Sequence, residues 1–103
     1  MLVLRDLAEL FDIDVKNYYL AASRDIEIIR ACYALSPSHK DYYYQTLKMQ
    51  DHTHYIQAGC LVCNLAEMRK HNLTQTLLAK LQEIGKPKFV DQCVLNAVCE
   101  GHV

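Results

Sequence analysis

Short apolar runs alternating with helical patterns predict an α/β fold, with a small, mostly parallel sheet and flanking helices. Three observations carry this. Residues 1–4, 18–22 and 55–65 contain apolar runs of strand length. Between and after them, apolar residues recur at spacings of three and four, the period of a helix with one buried face. The joints between the two patterns hold Asp, Asn, Gly and Pro, the residues that start and stop helices.

Taken in order, residues 1–4 (Met-Leu-Val-Leu) form a candidate strand stub, and residues 5–11 a helical turn with Leu7, Leu10 and Phe11 on one side. Asp12-Ile13-Asp14 breaks it. Residues 18–22 are the second candidate strand. Asp25 suits the cap of a helix with Ile26, Ile29 and Tyr33 as its stripe. Ser36-Pro37 ends that helix and can start the next, over residues 39–49. Tyr42, Tyr43 and Tyr44 span most of that helix's circumference, so at least one reaches solvent or another segment.

The stretch over residues 55–65, Tyr-Ile-Gln-Ala-Gly-Cys-Leu-Val-Cys-Asn-Leu, organises the rest. A polar residue and a small Ala58-Gly59 pair precede four apolar residues, Cys60 to Cys63, short enough for a fully buried strand. Asn64 and Glu67 have capping-box spacing, as do Asn72 and Gln75. Leu73, Leu77, Leu81 and Ile84 make the clearest stripe, ended by Gly85 and Pro87. Asp91 suits the cap of a last helix with Val94, Leu95 and Val98 inward, and Gly101 ends it.

With 103 residues the chain is one domain at most. A net charge of -1 gives no electrostatic case for nucleic acid or an anionic membrane. No apolar run approaches the roughly 20 residues of a transmembrane span. Five cysteines, with Cys32, Cys60 and Cys99 in apolar surroundings, fit reduced, buried thiols in a cytoplasmic protein. The Cys60-x-x-Cys63 pair lacks a second pair at zinc-site spacing, so buried apolar cysteine is the favoured reading. The five histidines share no ligand spacing and read as solvated. Both ends read as cuts through a larger domain, and an exposed sheet edge there can support self-association.

Four stretches, in this order, resemble glycosyltransferase family 8: residues 1–11, 20–25 (Leu-Ala-Ala-Ser-Arg-Asp), 55–65 and 88–96 (Lys-Phe-Val-Asp-Gln-Cys-Val-Leu-Asn). The resemblance covers nearly the whole chain. It implies part of a GT-A fold that binds a nucleotide-sugar donor with Mn²⁺ or Mg²⁺. It also implies transfer of a hexose, with retention of anomeric configuration, to a glycan or lipopolysaccharide-type acceptor. A hard cation would neutralise the leaving diphosphate, and polar side chains would orient the sugar.

By position, the resemblance makes Asp25, Gln57, Ala58, Gly59 and Asp91 donor-sugar-binding residues, and places catalytic Gln92 near the anomeric carbon. The family's metal-binding Asp-x-Asp would fall just before Met1, and its metal-binding His beyond Val103, so no metal ligand is assigned within the chain. Residues 1–103 then form the sugar-binding part of a catalytic domain without its nucleotide-binding half, inactive or nearly so alone. Gln57 stands where the family has Asn, and Cys93 where it has the second Asp of Asp-Gln-Asp. Asp25 and Asp91 are also plain helix caps, and the tyrosines plain packing residues. From a different class, a small α/β protein-interaction module without catalysis remains the alternative.

Overall fold

The computed structural model describes residues 2–34, 40–88 and 90–103. Helix α1 (Ala8–Phe11) is a single turn, followed by strand β1 (Leu20–Arg24) and helix α2 (Ile26–Ala34). A π-helical turn (Tyr42–Thr46) and a 3-10 turn (His52–His54) lead to strand β2 (Ile56–Cys63). Helices α3 (Leu65–Lys70), α4 (Leu73–Ile84) and α5 (Asp91–Cys99) complete the chain. The α/β class expected from the sequence is found. Ser36, Pro37 and His39, assigned above to a helix joint, lie outside the described residues.

The sheet differs from the mostly parallel expectation, because β1 and β2 pair antiparallel and form a two-stranded sheet among the described residues. Residues 2–4 are not a strand, and Leu2, Val3 and Leu4 are exposed. Among the described residues they pair with neither β1 nor β2. Strand β1 lies two residues later than expected, since Tyr19 N–H donates to His102 C=O rather than to β2.

Tyr55 and Ile56 show how β2 organises the interior. Adjacent strand residues point to opposite faces, and each enters a different core. Tyr55 packs with Cys32, Tyr43, Leu47, Met49 and Cys93. Ile56 packs with Leu20, Leu73 and Cys99. Helix α5 serves both sides, contributing Cys93 to one cluster and Cys99 to the other. Burial pushes the Cys99 thiol up to about 11, and raises the Tyr43 and Tyr55 phenols above their ordinary range.

The tyrosine run sorts itself by depth. Its turn closes through Leu47 N–H to Tyr42 C=O, a five-residue step wider than an α-turn. Tyr43 is fully buried, edge-on to Tyr55 with ring centroids 5.4 Å apart. Tyr42 is half-buried under Lys88, and Tyr44 reaches solvent.

Several local expectations change. On α2, Ile26 and Tyr33 are exposed while Cys32 is buried, so the helix is rotated from its assumed stripe. Asn72 does not cap α4 through its side chain. It sits in the left-handed region at φ 50°, turning the chain from α3 into α4, which aims its side chain away from the first turn. Asn64 does cap α3, accepting from Glu67 N–H at 3.1 Å. Gly85 ends α4 with a positive φ of 83°, but its ψ of -89° lies outside the left-handed helical region that suits a glycine there. His52 is buried rather than solvated, because the Asp51-capped 3-10 turn directs its Nδ1 to Tyr44 Oη at 2.6 Å.

Candidate functional site

The end of β1 and the start of β2 hold the polar centre of the molecule. Asp25 follows β1 directly, and its N–H donates to Tyr55 C=O at 2.9 Å. Its Oδ1 caps α2 by accepting from Ile28 N–H at 3.1 Å, as the sequence predicts. Its Oδ2 accepts from Gln92 Nε2 at 3.0 Å. Gln92 Oε1 in turn accepts from Ala58 N–H at 3.0 Å. One side-chain amide therefore ties together β1, β2 and α5.

Strand β2 reaches Gln92 because it leaves the ladder. Ala22 pairs with Leu61 and Arg24 with Ile56, so a step of two residues on β1 meets a step of five on β2. Residues 57–60 stand opposite Ser23 alone. A bulge of this kind frees backbone N–H groups and redirects side chains, and it recurs beside functional sites. It also overturns the expectation of a fully buried Cys60–Cys63 run. Cys60 and Cys63 are exposed, since bulging breaks the period and no described element covers those faces.

Gln57 and Gly59 lie on the bulge, both exposed. The nearest atoms to a Cβ built at Gly59 belong to the Gln57 side chain, the closest being Oε1 at 3.5 Å, an ordinary contact. No packing among the described residues requires a glycine there.

Asp91 does not join the cluster. It is the first residue of α5, exposed, and makes no side-chain cap. The chain enters the helix through Val90 at φ 51°, whereas capping needs an extended residue just before the first turn. Asp91 instead lines a groove of about 620 Å³ between α4 and α5, with Leu77, Leu81, Pro87, Val90 and Val94. Of the positions singled out in the sequence, Asp25, Ala58 and Gln92 are in direct contact. Gln57 and Gly59 flank Ala58 on the bulge, and Asp91 stands one residue from Gln92 without touching the three.

Sequence reasoning missed Asn96. It is 2 % exposed and lies one helical turn beyond Gln92. Its Oδ1 accepts from Ile56 N–H at 2.6 Å, and its Nδ2 donates to Ile56 C=O at 2.9 Å and Gln92 C=O at 2.8 Å. The available signal was the i, i+4 pair of amides on one face of α5. Among the described residues no three of His, Cys, Asp or Glu gather as a metal site.

A polar cluster where a strand ends and two helices begin is a frequent ligand position in α/β proteins. The comparisons give it a family. The family described as "Glycosyl transferase family 8" matches residues 1–103. A Haemophilus influenzae protein described as a glycosyltransferase is 33% identical over 98 residues, covering 94% of this chain and 27% of its own length. The apo structure of the bifunctional glycosyltransferase WbbM matches with a TM-score of 0.85 and 30% identity, covering 95% of this chain and 18% of that one. The chain belongs to glycosyltransferase family 8. It spans about a quarter of the curated relative and less than a fifth of the solved chain.

Proposed function

We propose that residues 1–103 form the donor-sugar wall of a family 8 catalytic domain, which transfers a hexose with retention from a nucleotide-sugar to a glycan acceptor. The observation that carries this is the Gln92 amide joining Asp25 to the bulge backbone at Ala58. In this reading the carboxylate of Asp25 and the amide of Gln57 accept and donate hydrogen bonds to sugar hydroxyls. The missing Cβ at Gly59 lets the ring approach the backbone. Asp91 reaches the same sugar from the α5 side, once donor and chain close together.

Gln92 borders the anomeric carbon. A carboxamide neither takes up nor gives up a proton as an acid or base near neutral pH, and both of its ends are already engaged. Its contribution is therefore positional: it fixes Asp25 and Ala58 before the donor arrives, so that little ordering remains at the reacting centre. A divalent cation, held by carboxylates outside these residues, would supply charge neutralisation for the leaving diphosphate. The location that goes with this reading is cytoplasmic, where nucleotide-sugars are made.

Binding measurements test the proposal. The chain should bind UDP-glucose or UDP-galactose weakly, on the order of millimolar, since it provides the sugar contacts without the nucleotide pocket. It should not turn the donor over. Gly59→Ala should abolish that binding while changing stability by less than about 0.5 kcal/mol, as expected for a substitution that meets no packing. Equal donor affinity in Gly59→Ala and the parent chain would overturn the proposed approach to the backbone.

A further inference from the structure

Residues Ile56 and Ala58 sit at the mouth of the bulge, where β2 has no strand on its outer side among the described residues. Backbone groups in that position need partners, because an unpaired buried N–H or C=O is costly. Helix α5 supplies them with side chains. Asn96 takes both the N–H and the C=O of Ile56, and Gln92 takes the N–H of Ala58. The two amides lie one turn apart and stand in for a neighbouring strand. Asn96 also donates to the backbone C=O of Gln92, so it holds both the strand and the helix residue that grips Asp25.

We infer that Asn96 is a positioning residue for donor binding. Buried and out of reach of any ligand, it fixes the register of the bulge against α5 and so sets where Ala58 and Gly59 present their backbone to the sugar. This rests on the donor-sugar reading above. No other side-chain type of similar size fills the role. Asn96 uses one acceptor and two donor hydrogens, and an aspartate there keeps the acceptor but sets a negative charge against two carbonyl oxygens. A protonated carboxyl regains one donor. The role is therefore rescued by acid in Asn96→Asp, which simple space-filling is not.

Amide exchange by NMR on the 103-residue chain tests this, with UDP-glucose and UDP-galactose as probes. In the parent chain the Nδ2 protons of Asn96 exchange slowly, and the probes shift the Ala58 and Gly59 amides. In Asn96→Asp at pH 7, protection at Ala58 falls about tenfold or more, the scale of one lost hydrogen bond. The probe-induced shifts fade with it, while the Leu77 amide on α4 keeps its protection. Lowering the pH until the introduced carboxyl is protonated restores Ala58. Loss confined to Ile56, with Ala58 and the probe shifts unchanged, overturns the inference. So does rapid exchange of the Asn96 Nδ2 protons in the parent chain, a result that stands even if the variant fails to fold. Coupling of Asn96 to Ala58 without any probe-induced shift in the parent chain overturns the donor-sugar reading and the donor role of Asn96, and leaves only the packing coupling.

Discussion

Asp25 carries two duties that substitutions can separate. As a cap it satisfies the N–H of Ile28, and its other oxygen anchors Gln92, the arrangement that in the proposed function also meets sugar hydroxyls. Asn is as good a cap as Asp, whereas Ala is not. Asp25→Asn should therefore leave thermal stability nearly unchanged yet weaken donor binding at least about tenfold, the scale of one charge-assisted hydrogen bond. Asp25→Ala should cost about 1 kcal/mol in addition. Parallel denaturation and binding curves for the two variants check this, and equal binding losses with equal stability losses would reduce Asp25 to a cap. Asp25 was legible as a cap because short polar residues before an apolar stripe are a local signal. Asn96 was not, because its i, i+4 spacing from Gln92 gains meaning only once the strand that both amides face is known. At position 58 the sequence drew attention to small size, and the structure uses the backbone N–H as well.

At the level of elements, β2 shows where sequence reading stops. Its apolar content marked a strand correctly, since Ile56–Cys63 is one. The bulge over residues 57–60 depends on which residues of β1 sit opposite, information that no single segment contains. Thiol reactivity reports on it directly. Cys60 and Cys63 are exposed, whereas Cys32, Cys93 and Cys99 are buried. Burial also raises the Cys32 and Cys99 thiols and so lowers their reactive thiolate fraction. A thiol reagent should modify two cysteines rapidly and three only on unfolding. Three or more fast thiols would contradict the packing of α2 or α5, which carry the buried cysteines. Leu20→Ala, at the fully buried start of β1, should cost about 2–5 kcal/mol by leaving a cavity against Ile56 and Cys99.

For the whole molecule, two modest cores share one helix, and much apolar surface stays open. Leu2, Leu4 and Phe11 are more than 80%, or close to it, exposed, and the α4–α5 groove is apolar. No helix among the described residues is long and apolar enough to cross a membrane. The α/β class was legible from alternation of patterns. The antiparallel pairing was not, because strand direction depends on a connection through α2 and the tyrosine turn that carries no direction signal. Alkali should expose the weakness of the cores. Cys99 titrates at about 11 in the folded chain against an ordinary 9.0. The folded state thus holds the proton more tightly, and stability falls as pH rises from 9 toward 11. Tyr42, pushed up chiefly by burial to about 12, extends the loss further. Denaturant midpoints across that range check it, and a flat profile would mean that Cys99 is solvated.

The most direct test of the donor wall is to map where a nucleotide-sugar touches the chain. Titrating UDP-galactose and UDP-glucose into the isotope-labelled protein should move the Ala58 and Gly59 backbone amides and the Gln92 side-chain amide together. Shifts gathered instead along Leu77, Leu81 and Val94, with the bulge unmoved, would contradict it.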